Sequence, residues 1–397
     1  MRGFPRGALK LSIALLLPVS TCLTARANNR SDSKHKSAET SSYIGDAPAI
    51  ALPLATDLSP VLTKKAIDRA VRKVGDWELR RSQIHFRQDW RDAVLYAGFM
   101  AAANALPDRK YQTAMLRMGN RFDWQLNPVA PGRKDLADNH AIGQTYLTLY
   151  RIYRQPKMIA PTEAKFDALM RVPDDPAHPV WWWADAIFMG PPTWVRLYQA
   201  TGNKAYLDYM NREFWITSNL LYQPKERLYS RDATYLNKRS GNGQRLFWSR
   251  GNGWVLAGIA RILQDMPADY PSRPKYVERF RQMAAEIASL QGADGLWRAD
   301  LLDPDAYPAP EVSGSALFVY AMVWGIDHDI LDRATYLSVV QKGWRGLLSH
   351  IYQDGRLGSI QPVGSEPLAF PPTSSYVYGV GAFLLAGAEL HRLAEQK

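Results

Sequence analysis

Cysteine is nearly missing from this chain. The only one, Cys22, lies beside a short leader-like segment, so once that segment is removed no thiol remains. Disulfides, zinc–thiolate sites and a cysteine nucleophile are thereby excluded. His-Glu-x-x-His, paired His-x-His and Gly-x-Ser-x-Gly patterns are absent too, which leaves metal-hydrolase and serine-hydrolase chemistry without support. No run of five Lys or Arg residues occurs, so a nucleic-acid footprint is not indicated. The apolar run Leu11–Val19, LSIALLLPV, is too short to span a bilayer, and the mature chain offers no membrane segment. Strand signals are sparse.

The N-terminus reads as an export signal over 1–27. Arg2, Arg6 and Lys10 precede the apolar run, and Ala25-Arg26-Ala27 fits a small-x-small cleavage pattern. Lipid attachment at Cys22 is the second reading. Both predict a periplasmic or secreted protein. Removing Arg2, Arg6, Lys10 and Arg26 takes the formal charge from +11 to +7, a balance suited to acidic sugars. Residues 28–56 are polar and Ser-rich and read as a flexible spacer, leaving 57–397 as one catalytic domain. Its 13 Trp, 20 Tyr and 12 Phe fit either a large aromatic core or a groove of flat rings for sugar faces.

Periodicity within the domain is helical. The spacing predicts helices over 61–74, 90–105, 109–122, 138–153, 161–171, 183–201, 203–219, 250–265, 273–290, 313–326, 332–349 and 374–393. Gly202 and Asn203 supply an end and a start between two of them. A small hairpin is expected around Lys238–Gln244. Roughly 28 residues per helix and loop suit antiparallel helix hairpins. Six of them closing into a ring give an all-α, double-layered (α/α)6 toroid with a cleft at one end. No fixed-period repeat supports an open solenoid.

Four stretches could carry chemistry. In WWWADAIFMGPP (181–192), Pro191 and Pro192 bar a continuous helix, so Asp185 falls at an element boundary. Burial among Trp181, Trp182, Trp183, Phe188 and Met189 would raise its pKa, as a general acid requires. A surface N-cap or an arginine ion pair is the competing reading. In LADNHAIGQTY (136–146), Asp138 is either a helix cap or a second carboxylate facing the first. His140 is either a sugar contact or structural. In FWSRGNGW (247–254), Trp248 and Trp254 flank Arg250, and a guanidinium between rings suits a carboxylate-bearing sugar. The alternative is a Gly-rich turn with buried tryptophans. Arg231, Asp232 and Glu311 could line a cleft or cap loops and helices.

These motifs resemble glycoside hydrolase family 105, the unsaturated rhamnogalacturonyl and related unsaturated uronyl hydrolases. WWWADAIFMGPP, ADNHAIGQTY, FWSRGNGW, PEVSGSALFVYAMVWGI and VYGVGAFLLAGAEL fall in that family's order from about residue 60 onward. Family 88 is a more distant relative with the same fold. The resemblance implies an (α/α)6 barrel and no cofactor or metal. It also implies hydrolysis of oligosaccharides that end in a 4,5-unsaturated uronate, through protonation at C4. Asp185 matches the general acid/base and Asp138 the second aspartate. Trp248, Arg250 and Trp254 match the uronate-binding residues, with His140 and Met189 as further substrate contacts. The segment LYSRDATY lacks the histidine that many members carry, and Arg231 is the nearest candidate for its role. An inverting glycosidase using Asp138 and Asp185, and a non-catalytic sugar-binding protein, are the alternatives.

Overall fold

A computed structural model describes residues 44–129, 135–173 and 179–395. The leader with Cys22 and the first part of the expected spacer lie outside the described residues. Each of the twelve helical intervals contains one long helix: α1 (Lys64–Ser82), α2 (Trp90–Ala105), α3 (Lys110–Arg121), α4 (Gly143–Tyr153), α5 (Ala160–Met170), α6 (Pro191–Thr201), α7 (Lys204–Leu221), α8 (Ser249–Asp265), α9 (Arg273–Ser289), α10 (Val312–Asp327), α11 (Arg333–Leu348) and α12 (Val377–Glu395). α1 runs past the expected residue 74. Gly75, which looks like a breaker, is instead a packing residue, because a Cβ there would meet the Tyr111 hydroxyl of α3 at 2.6 Å. Asn203 caps α7 through Ala205 N–H at 3.1 Å, and Gly202 ends α6 with φ of 74°.

The even-numbered helices form an inner ring. α2 packs on α4, α4 on α6, α6 on α8, α8 on α10, α10 on α12, and α12 returns to α2. They are buried almost all round, as in the unbroken stretch Val312–Ile326 of α10. The odd-numbered helices lie outside and are amphipathic. α3, for example, buries only Tyr111, Ala114, Met115, Met118 and Gly119, one face at helical spacing. The architecture is the predicted (α/α)6 barrel.

Short strands pin the loops at one end. β2 (Tyr222–Gln223) pairs antiparallel with β3 (Leu228–Tyr229). The hairpin expected at 238–244 appears as a single bridge, Arg239 to Arg245, with Gly243 at φ of 81°. The expected spacer is corrected over its last part. Residues 44–56 belong to the folded body, because β1 (Gly45–Asp46) pairs with β4 (Ser375–Tyr376) and Asp46 accepts from Arg356 at 2.5 Å. Pro53 and Ala55 bond the backbone of Gln353 and Ile351 at 2.9 and 2.8 Å.

Candidate active site

The N-terminal ends of the inner helices converge at one end of the barrel. Backbone N–H groups without intrahelical partners gather there, a setting that favours negative charge. Each end brings chemistry: Asp89 and Trp90 from α2, Asp138 before α4, Asp185 before α6, Trp248 and Arg250 at α8, Glu311 at α10, and Tyr376 and Tyr378 at α12.

Asp185 stands at the head of a one-turn helix, Ala186–Met189, and Pro191 then opens α6. The prolines separate the two elements as their missing N–H groups require. The Asp185 side chain makes no capping bond, which removes the N-cap reading. Its Oδ1 is buried with no hydrogen-bond partner. The turn is held on both sides. Ala184 N–H donates to Arg231 O at 2.8 Å. Gln144 Nε2 donates to the carbonyls of Phe188 and Met189 at 2.8 and 3.4 Å, and Arg261 Nε donates to Gln144 Oε1 at 2.7 Å. Gly251 of the GNG segment leaves room beside the acid: a Cβ there would lie 3.7 Å from Asp185 Oδ1 and 3.0 Å from the Trp248 ring.

Asp138 sits in a second one-turn helix, Ala137–His140, and also makes no capping bond. Burial pushes Asp138 up to about 7, with the charges of Asp185 and Asp89 adding to the rise and Arg231 and Arg91 opposing it. Burial likewise pushes Asp185 up to about 6, against Arg231 and Arg250. Desolvation dominates both shifts because the neutral form is favoured away from water. The two carboxyls therefore titrate as a pair near neutrality, with a proton available to be given up.

Arg250 is sandwiched as expected, but between different rings. Its guanidinium lies 4.4 Å from the Trp248 ring and 5.0 Å from that of Tyr378. Trp254, one turn further along α8, is fully buried and packs on Phe188 and Trp90. Trp254 does not flank the Arg250 guanidinium in this structure. The guanidinium is also held by backbone. Arg250 Nη1 and Nη2 donate to the carbonyls of Gln361 and Pro362 at 2.7 and 2.9 Å, and the residue is 1% exposed. Arg250 supplies positive charge and anchors the 360–362 loop. Trp248 Nε1 fixes the same loop through Gln361 Oε1 at 3.1 Å.

Arg231 is the more open guanidinium. It pairs with Asp232 at 2.6 Å, lies 5.4 Å from the Trp182 ring and has an unpartnered Nε. It acts electrostatically on both Asp138 and Asp185. Of the three consecutive tryptophans only Trp182 is exposed, at 42%. Trp181 and Trp183 form the wall. A cavity of about 920 Å3 adjoins this edge, with Trp182, Arg231 and Tyr235 beside apolar Leu136, Leu169 and Val180.

Two more of the expected contacts are buried. His140 is 1% exposed, packs edge-on against Phe166 and lies 3.6 Å from Asp135, behind the cleft wall. Met189 is buried in the same wall. Of the ambiguous acids, Glu311 caps α10 through Ser313 and Gly314 and also holds Gln361 N–H at 3.1 Å. Asp232 caps the turn at 233–235. Asp89, Trp90, Tyr378 and Gln361 were missed. Asp89 caps the helix whose start at 90 was legible, and Tyr378 lies inside the VYGVGAF motif, but neither shows its cleft neighbours in local sequence. Among the described residues no cluster of three or more His, Cys, Asp or Glu could hold a metal.

Known proteins resemble this chain over most of its length. The model of Glycosyl Hydrolase Family 88 matches residues 62–394. An unsaturated 3S-rhamnoglycuronyl hydrolase of Alteromonas sp. (strain LOR) is 30% identical over 85% of this chain and 89% of its own length. A protein of the same name from Formosa agariphila is 35% identical over 77% of this chain and 85% of its own. A solved structure described as a polysaccharide lyase is 30% identical and superposes with a TM-score of 0.80, covering 84% of this chain and 99% of that one.

Proposed function

The chain belongs to glycosyl hydrolase family 88, and from that premise we propose that it is a hydrolase releasing the terminal 4,5-unsaturated uronate from lyase-generated oligosaccharides. The single observation that carries the assignment of the acid is Asp185: a carboxyl at the convergent helix N-termini, raised to about 6, with one buried oxygen bound to nothing.

The reaction follows from the substrate's vinyl ether. Protonated Asp185 gives its proton to C4, and the C4=C5 electron pair forms the new C–H bond. Positive charge develops at C5, shared with the ring oxygen. Water adds at C5, and its proton passes to the Asp185 carboxylate. The hemiketal opens to a ketone at C5, and the hemiacetal left at C1 expels the shortened sugar. Asp138, whose proton the Asp185 charge helps to hold, meets the sugar hydroxyls. Arg231, the helix N-termini and the nearby charge of Arg250 favour the uronate carboxylate. Trp182 supplies a ring for the adjoining sugar. The names of the two relatives support a sulfated rhamnose as that neighbour, and an export leader supports action in the periplasm or outside the cell.

The test is the double-bond absorbance during incubation with lyase products of sulfated rhamnose–uronate polysaccharides. A hydrolase removes the band. Absorbance that rises on the intact polysaccharide would instead mark a lyase, and no change on any unsaturated product would refute the assignment. Asp185→Asn is expected to lower kcat by roughly 10²–10⁴-fold or more with the circular dichroism spectrum retained. Full activity in that variant would remove Asp185 from the mechanism.

A further inference from the structure

The opposite end of the barrel holds a second polar site, joined to the cleft through the bond of its Arg261 to Gln144. A cavity of about 190 Å3 lies among the C-terminal halves of the inner helices. Four guanidinium groups line it: Arg151 of α4, Arg196 of α6, Arg261 of α8 and Arg392 of α12. The acids around them are unevenly shared. Arg151 and Arg196 share Asp265 at 2.6 and 2.8 Å. Arg392 pairs with Glu389 and lies 3.8 Å from Asp327. Glu395 is bound by Lys64 at 2.6 Å, and His391 lies 3.1 Å from Asp68.

Arg261 is left without a carboxylate. It is 4% exposed. Its Nε is taken by Gln144 and one face lies 5.4 Å from the Phe188 ring. Neither terminal nitrogen makes a hydrogen bond to the described residues, and neither is buried away from the cavity. Helix C-termini explain why arginines gather at this end. They do not supply acceptors for Nη atoms that face a void. A buried guanidinium without a counter-charge is unfavourable, and the deficit is felt next door: burial and then the like charge of Arg261 pull Arg196 down to about 10.

We propose that this cavity is a binding site for a free tetrahedral oxyanion, sulfate or phosphate, held by Arg261 with Arg151 and Arg196. The volume lies below the roughly 300 Å3 at which sites for larger organic ligands begin, which favours a free ion over a sulfated sugar. The inference does not depend on the hydrolase assignment.

Melting of the full chain is measured in sodium sulfate, sodium phosphate and sodium chloride at matched ionic strength, beside Arg261→Met and Arg151→Gln. Crystals are soaked in selenate, whose anomalous signal locates the ion. The wild type should gain a saturable increment in sulfate or phosphate. Arg261→Met should lose it, and Arg151→Gln should weaken the midpoint roughly tenfold. A selenate peak should stand beside Arg261. Equal increments in all three proteins, or selenate found only in the cleft, would overturn the site. If Arg261→Met fails to fold, Arg151→Gln and the location of selenate still decide.

Discussion

At the scale of single residues the cleft is a problem of who keeps a proton. Asp185 and Asp138 both ionise only near neutrality, at about 6 and about 7, because burial disfavours their charged forms. A general acid must be protonated, so kcat is expected to fall as pH rises through that window. Asp138 still holds its proton where Asp185 ionises, so Asp138→Asn should leave the alkaline limb of the kcat profile near 6. A limb displaced by Asp138→Asn would show that Asp138 is already charged when Asp185 gives up its proton. Stability carries the same sign. A carboxyl with a raised folded pKa contributes stability below its unfolded pKa and loses it as pH rises through the folded one. The melting temperature of Asp185→Asn relative to wild type should therefore rise between pH 5 and pH 8, by roughly 1–3 °C. Much of this site was legible in sequence. The two prolines placed Asp185 at a boundary, and the tryptophan-rich window gave the reason for its shifted ionisation. The partners of Arg250 were not. Trp254 lies close in sequence but packs one helical turn away on Phe188 and Trp90, while Tyr378 arrives from more than a hundred residues away. The burial of His140 and Met189 was hidden for a related reason. Proximity to the acids in a one-turn helix does not tell which side chain faces the cleft and which faces the wall.

Elements legible in the sequence were those with enough length to show a period. The twelve long helices met that condition, and the two four-residue helices carrying Asp138 and Asp185 did not. Those short turns have little stability of their own and depend on what packs beneath them. For Asp185 the support is Gln144, whose amide satisfies the Phe188 and Met189 carbonyls while Arg261 satisfies its oxygen. Gln144→Leu leaves these buried groups unpaired and should cost about 1–3 kcal/mol of stability. It should also lower kcat about tenfold or more with KM little changed, since the acid is displaced while the sugar contacts remain. A rise in KM with kcat unchanged would assign Gln144 to binding instead. Residues 44–56 escaped prediction because their order comes from partners near 351–376, and local composition does not name such partners.

The whole molecule depends on closing a ring. The last inner helix must return to the first, and α12 does so against α2 with the backbones nearly touching. A Cβ on Gly381 would stand 2.4 Å from Val94 O, and one on Gly98 would stand 2.6 Å from Gly381 O. The obstacle in each case is main chain, which cannot rotate aside as a flexible side chain can. Both helices also carry cleft residues at their N-terminal ends, Asp89 and Trp90 on α2 and Tyr378 on α12. Gly381→Ala is therefore expected to be far more damaging than an added methyl group elsewhere, costing about 1–3 kcal/mol or more through overpacking. The damage should reach the site as well, because α12 can relieve the clash only by moving away from α2, taking the Tyr378 ring from Arg250. Glycine to alanine at Gly241, in an open loop where a Cβ meets nothing closer than 3.5 Å, is the matched control. Urea unfolding and kcat of the two variants separate the cases. A Gly381→Ala protein as stable and active as the Gly241→Ala protein would mean that the ring does not depend on this contact for closure.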